Sequence, residues 1–212
     1  GMYWLPLLAV LCAICMIFGN IMAMKQKDVK RMLAYSSIAQ AGYMMVGIIA
    51  ADTAGMKATM FYAVLYVFAN VGAFAVLAVV EAQKGSTTHR MMNGLAQSAP
   101  VLAAVMTISL LSMAGIPPTA GFAGKLYLFT AVVDQGYLWL AFVGFVMSMI
   151  SVYYYLLVAK AMYVGKWDGT KLNISGATRA AVVLSVLATI LIGVWPEKLA
   201  ELTNLAANTF LH

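Results

Sequence analysis

The amino-acid sequence predicts an all-helical integral membrane protein of six transmembrane helices, the fourth of them discontinuous. Three observations predict this class. Of the 212 residues, 64% are hydrophobic and only 9% are charged; a soluble domain of this length cannot hide so much apolar surface, whereas lipid accepts it directly. The apolar residues form long continuous runs rather than the short alternating strands of a membrane barrel. One of those runs is interrupted near its centre by prolines, glycines and a lysine.

Span one covers about Tyr3 to Met24. It is long enough to cross and lacks a basic leader or a small-residue cleavage site, so it reads as a helix and not as a cleaved signal. The chain opens Gly1-Met2, as an added residue or a start partway through a longer protein would make it do. Cys12 and Cys15 stand in C-x-x-C spacing inside this apolar run. With no second ligand pair and no βαβ context, they read as small helix-borne side chains and not as a zinc or redox site. A basic loop, Lys25 to Arg31, follows. Span two covers about Met32 to Ala51, a polar turn Asp52 to Gly55, and span three about Thr59 to Val80. The segment Glu81 to Ser98 is polar and reads as a loop. Span five covers about Tyr137 to Val164 and span six about Ala177 to Trp195. Beyond Glu197, Leu199, Leu202, Leu205 and Ala206 share one side of a helix, which predicts a short interfacial helix.

Residues 100–133 are mostly apolar but too long for one straight helix, which needs about 20 residues, and too short for a hairpin, which needs more than about 40. The centre reads Ala114-Gly115-Ile116-Pro117-Pro118-Thr119-Ala120-Gly121-Phe122-Ala123-Gly124-Lys125. Pro117 and Pro118 remove backbone donors and clash with the preceding turn. Gly115, Gly121 and Gly124 permit backbone angles that a helix does not use. The expected structure is one crossing made of two half-helices joined by an unwound stretch.

Charge tests that count. With six crossings, the loops after spans one, three and five share one side. They carry Lys25, Lys27, Lys30, Arg31, Lys84, Arg90, Lys160, Lys166, Lys171 and Arg179, against Lys57 and Lys198 on the other side. Such a bias places the basic loops in the cytoplasm and the C-terminus outside it. Two crossings within 100–133 would split the cluster. The same distribution accounts for the net charge of +6 without nucleic acid as a partner.

Of the 13 basic residues, only Lys125 is not at a predicted surface. An ionised residue at the bilayer centre costs about 2.5–3.5 kcal/mol on insertion scales, so it persists where it faces a polar interior and performs a task. An amine there is able to take up and release a proton, which a guanidinium does not readily do. Unwound backbone beside it supplies carbonyls and half-helix ends, as transporters do at the midplane. A purely structural lysine would pair with a carboxylate on another helix. A counter-ion to a substrate is a further role for such a charge.

Candidates for a polar path with water are Tyr35, Ser36 and Gln40, near Ser37 and Tyr43 in span two, and Tyr62 and Asn70, near Tyr66 in span three. Ser112, Thr119 and Tyr127, near Thr107 and Ser109, lie in the broken segment, and Ser151, near Ser148, Tyr153, Tyr154 and Tyr155, lies in span five. Taken singly, such residues more often hydrogen-bond between helices. Glu81 and Asp134 sit at span ends, where ordinary interfacial charge is the simpler reading. His89 and His212 have no clustered partners and support no metal site. No phosphate loop, haem motif or iron–sulfur cysteine set is present in the sequence.

The run Lys27-Asp28-Val29-Lys30-Arg31-Met32-Leu33-Ala34-Tyr35-Ser36-Ser37-Ile38-Ala39-Gln40-Ala41-Gly42-Tyr43 resembles the signature of the antiporter-like, proton-translocating subunits of respiratory complex I. Mrp-type cation/proton antiporter subunits and membrane-bound hydrogenase subunits share that family. The run from Ala114 to Tyr127 is similar to the family's discontinuous helix with its central lysine. Asn70-Val71-Gly72-Ala73-Phe74 and Ser151-Val152-Tyr153-Tyr154-Tyr155 narrow the resemblance to the subunit N branch of bacterial NADH-quinone oxidoreductase. The resemblance covers essentially the whole chain.

It implies two inverted five-helix repeats in a protein of about fourteen helices. On it, residues 1–164 are the second repeat, and residues 165–212 are a cytoplasmic loop, the final transmembrane helix and the interfacial helix. The earlier repeat, with the family's helix-borne glutamate and further lysines, would lie outside this chain. Lys125 matches the central lysine. By resemblance, the chain is a translocase subunit of the bacterial inner membrane, among other membrane subunits, lipid, protons and internal water. NADH, FMN, iron–sulfur clusters and quinone are expected on other parts of the complex. An Mrp-type antiporter or hydrogenase subunit is the alternative.

Overall fold

A computed structural model of the chain describes residues 3–116 and 119–210. Pro117 and Pro118, expected to break the fourth crossing, lie outside the described residues, as do Gly1 and His212.

The chain folds into helices in the expected order. Helix α1 (Leu5–Met24) begins with a proline in its first turn, where the missing N–H has no intrahelical partner to lose. Helix α2 (Val29–Ile49) is capped by Asp28, which accepts from Lys30 N at 2.9 Å. Helix α3 (Thr53–Lys84) is capped by Asp52, which accepts from Gly55 N at 2.8 Å. The polar turn at 52–55 is therefore the first turn of a helix. The segment 81–98 is also not a plain loop. Helix α3 continues to Lys84, and two single-turn helices follow, α4 (His89–Met92) and α5 (Leu95–Ser98). Polar composition marked the membrane boundary there and not the end of the helix, because a helix leaving the bilayer keeps its own hydrogen bonds.

The fourth crossing is α6 (Pro100–Ala114) followed by α7 (Ala120–Asp134), each 15 residues long. At 1.5 Å per residue each is about 22 Å, too short alone for a hydrocarbon core of about 30 Å. Helices α8 (Leu138–Val164), α9 (Gly176–Val194) and α10 (Pro196–Phe210) complete the chain. Helices α1, α2, α3, α8 and α9 are each long and apolar enough to cross.

Loop-to-loop bonds establish which ends lie together. His89 N donates to Lys27 O at 3.1 Å, and Gly94 N to Ala161 O at 3.0 Å. Gln83 Nε2 donates to Asn173 O at 2.6 Å, and Lys84 lies 3.7 Å from Asp168. The loops after α1, α3 and α8 thus meet at one end, where α6 begins. At the other end Gln135 Nε2 donates to Asp52 Oδ2 at 2.9 Å, so α7 finishes there. The pair α6–α7 is a single interrupted crossing.

Helix α3 is central, packed against α2, α6, α7 and α9. Two apolar clusters form the interior, one toward the basic loops and one toward the opposite end. Helix α10 rests on α3 and α9. Its inward face is Thr203 and Ala207 with Leu199 half-buried, while Leu202 and Leu205 point outward. The predicted stripe therefore splits between the protein and its surroundings.

Candidate functional site

The break between α6 and α7 is built by glycine and a serine. Gly115 ends α6 in the left-handed region at φ +80°, and its N–H donates to Leu111 O and Ser112 O, each at 3.1 Å. Left-handed backbone is unfavourable for residues with a Cβ and accessible to glycine. At Gly121 a Cβ would collide with the Ser112 carbonyl, so only glycine lets α7 start this close to the end of α6. Ser112 Oγ accepts from Gly121 N at 3.1 Å, tying the half-helices together. Thr119 precedes α7, and its hydroxyl turns back to the Ile116 and Leu111 carbonyls. Gly124 faces Tyr62 and Leu65.

Lys125 is buried, 5% exposed, in the second turn of α7. Its Nζ donates to Met113 O at 2.8 Å and lies 4.5 Å from the centre of the Tyr43 ring. Met113 is in the last turn of α6, so its carbonyl is one of those a helix end leaves free. Both contacts suit positive charge, a carbonyl oxygen and the negative face of an aromatic ring, yet neither is an anion. Among the described residues no carboxylate pairs with Lys125.

The same Met113 carbonyl accepts from Gln40 Nε2 at 3.3 Å. Gln40 also accepts from the Tyr62 hydroxyl and donates to Tyr155 Oη at 3.4 Å. Tyr155 shares a close hydrogen bond with Ser36. A second branch runs from Tyr43, whose hydroxyl accepts from Asn20 Nδ2 at 3.2 Å, to Tyr154, which donates to Asn20 Oδ1 at 2.7 Å. These side chains come from α1, α2, α3, α7 and α8 and meet where the two apolar clusters adjoin.

Of the sequence-predicted polar path, the structure brings Gln40, Tyr62 and Ser36 onto this network. Ser112 and Thr119 serve the break itself. Ser151 donates to the Ser148 carbonyl in its own helix. Tyr35 packs edge-on to Phe18 with ring centres 6.4 Å apart, and Asn70 is half-buried, with no hydrogen bond to the Lys125 network among the described residues. Tyr127 packs edge-on to Phe61, with ring centres 5.1 Å apart, and lines a separate cavity near Asp134 and Asn204. Asn20 and the Met113 carbonyl were not foreseen. Asn20 is a polar residue in an otherwise apolar span, a signal that spacing alone offered. A backbone carbonyl carries no sequence signal.

A cavity of about 250 Å³ borders the amine, lined by Gly115, Phe122, Lys125, Phe145, Ser148 and Val152 among others. The Ser148 hydroxyl is buried and has no hydrogen-bond partner among the described residues. Among those residues, no group of His, Cys, Asp and Glu is arranged to hold a metal ion. Cys12 Sγ instead donates to Gly42 O at 2.9 Å.

A multi-pass helical bundle with one crossing broken beside a buried amine defines a class of integral membrane protein whose architecture is shared with transporters. The chain belongs to the NADH:quinone oxidoreductase/Mrp antiporter transmembrane family, whose description matches residues 1–151. It is 52% identical over 98% of its length to NADH-quinone oxidoreductase subunit N of Desulforamulus reducens, covering 44% of that protein. It is 51% identical over 99% of its length to subunit N of Heliobacterium modesticaldum, again covering 44%. Among solved structures, respiratory complex I from Thermus thermophilus with bound NADH contains a similar chain. That match has a TM-score of 0.85 and 28% identity, and covers 98% of this chain and 44% of that one. The Mrp complex of a Dietzia species matches in fold, with a TM-score of 0.88 at 22% identity over 97% of this chain and 47% of that one. The chain thus spans under half the length of the relatives it matches.

Proposed function

We propose that this chain forms part of a proton-translocating membrane subunit of NADH-quinone oxidoreductase, with Lys125 as the group that takes up and releases the proton. The observation that carries the reading is the setting of Lys125, buried at a helix break and held by a carbonyl and an aromatic face. A carboxylate partner would fix the ammonium permanently, whereas neutral partners leave it free to lose its proton. Gln40, Tyr62, Tyr155 and Ser36 form the polar path on one side, and the cavity bordered by Ser148 offers room for water on the other. The relatives favour the oxidoreductase over an Mrp-type antiporter. Subunit N proteins are about half identical to this chain, whereas the Mrp likeness is one of fold.

On this reading the redox groups, NADH, FMN, iron–sulfur clusters and quinone, belong to other subunits, and this chain supplies coupling. Residues 1–164 act as a five-helix antiporter-like repeat and 165–212 as its closing segment. The clustering of basic loops at one end supports a cytoplasmic location for that end and an external C-terminus in a bacterial inner membrane.

The test is Lys125→Met in the complete complex, in inverted membrane vesicles, after assembly is confirmed. NADH-driven quinone reduction and proton uptake are recorded together. Both rates fall if Lys125 couples the two; wild-type rates for both refute the assignment.

A further inference from the structure

A second cavity, of about 750 Å³, opens among the basic loops. Lys27 and Gln26 from the α1–α2 loop, Arg90 and Asn93 from the α4 region, and Lys160 near the end of α8 line it. Among the described residues no carboxylate lines it, and none pairs with Lys27, Arg90 or Lys160. Two other basic residues of this end are engaged: Lys30 pairs with Glu81 at 3.0 Å and Lys84 with Asp168. The acid nearest in sequence, Asp28, is occupied by Lys30 N and Thr87 Oγ1, at 2.9 and 2.6 Å.

The frame is fixed. His89 holds the Lys27 carbonyl through its backbone N and its ring, and Gly94 N holds Ala161 O. The carbonyl ends of α1 and α8 lie at this side, each contributing about half a negative charge. Three cations therefore leave a net charge of roughly +2 in the cavity. Thr88 and His89 complete its polar lining, and the side toward α8 is apolar, with Leu157, Ala161 and Val164. The outward face of the same helix continues with Leu156, Tyr163 and Val164 exposed. A cationic pocket that runs into an apolar helix face at the membrane boundary matches a molecule with an anionic head and a hydrocarbon body.

We propose that this pocket binds the phosphate group of an anionic glycerophospholipid, with its acyl chains lying along α8. The phosphate sits among Lys27, Arg90 and Lys160, and Asn93 supplies an amide donor. This site is independent of Lys125 and of the proton reading. Each cation near such a surface is worth about five-fold in preference for anionic lipid, and three together about a hundred-fold.

The test uses the complete complex in lipid nanodiscs of phosphatidylcholine, doped in parallel with photoactivatable phosphatidylglycerol or photoactivatable phosphatidylcholine. Crosslinked peptides are mapped by mass spectrometry. The expected result is labelling around residues 156–165 that strongly favours phosphatidylglycerol, persists in excess inorganic phosphate, and drops to the phosphatidylcholine level in K27Q/R90Q/K160Q. Where the triple variant does not assemble, R90Q, at an exposed position of α4, is expected to lower the preference about five-fold. Equal labelling by the two probes in the wild type, or none, overturns the proposal. Loss of labelling in inorganic phosphate also overturns it, because the pocket would then be a site for a soluble anion.

Discussion

Gly115 and Gly85 make a matched pair that isolates what the helix break does for Lys125. Both end a helix in the left-handed region, at φ +80° and +83°. Alanine in that conformation costs roughly 1–2 kcal/mol at either site. The surroundings differ. A Cβ on Gly85 meets nothing within 4 Å, whereas one on Gly115 comes within 2.9 Å of Lys125 Cδ and 3.6 Å of its Nζ. Gly85→Ala therefore carries the backbone penalty alone. Gly115→Ala carries the same penalty and also pushes the lysine stem away from the Met113 carbonyl. A hydrogen bond to a charged group contributes roughly 1.5–3 kcal/mol. At about 1.36 kcal/mol per factor of ten, its loss lowers the fraction of correctly placed amine roughly ten- to hundred-fold. The assay is NADH-driven proton uptake in inverted vesicles, normalised to assembled complex on native gels. Gly85→Ala should pump at near wild-type rate and Gly115→Ala at least several-fold slower, at comparable assembly. Equal pumping by the two variants refutes the argument that the break positions the amine.

Gln40→Leu removes the acceptor of the buried Tyr62 hydroxyl, an orphaned group worth about 1–3 kcal/mol; the complex should inactivate at lower temperature in a thermal ramp, with a smaller shift for Gln40→Glu, which keeps the acceptor. Asp28→Ala loses the cap on Lys30 N and the bond to Thr87, about 0.5–2 kcal/mol; hydrogen exchange of residues 85–94 should accelerate. Lys30→Ala breaks an ion pair whose side chains are 52% and 46% exposed, worth about 0–1 kcal/mol; assembly and activity should match wild type, and a marked loss would mean that Lys30 has a partner elsewhere.

The fold was largely legible because membrane helices declare themselves by apolar length, and the break by proline and glycine inside such a run. The site was legible in part. Lys125 stood out because it was the one basic residue without a place at a surface. Gln40 and Tyr62 could be named but not joined, because pairing across helices depends on rotation and depth, which a sequence spanning lipid does not encode by periodicity. In soluble helices a hydrophobic stripe fixes the facing; here both faces are apolar, so polar residues that meet and those that do not read alike. Tyr35, Asn70 and Tyr127 illustrate this, since they share their composition with the residues of the network and lie apart from it.

The break and the network are one device. A continuous helix would spend the Met113 carbonyl on its own ladder. Ending α6 at Gly115 frees that oxygen, and starting α7 tightly against Ser112 brings Lys125 to it. Gln40 then reaches the same oxygen from α2, so the amine and the amide share one acceptor, which has a lone pair for each. When Lys125 withdraws, Gln40 still satisfies the carbonyl, and the site avoids an orphaned polar group in either position. The Tyr43 ring lies under the amine while its hydroxyl is held by Asn20, so the surface on which the amine rests is itself anchored from α1. A lysine with a neutral, shared acceptor and an anchored aromatic base can move without breaking the bundle, and the proposed role of Lys125 as a proton carrier needs that freedom.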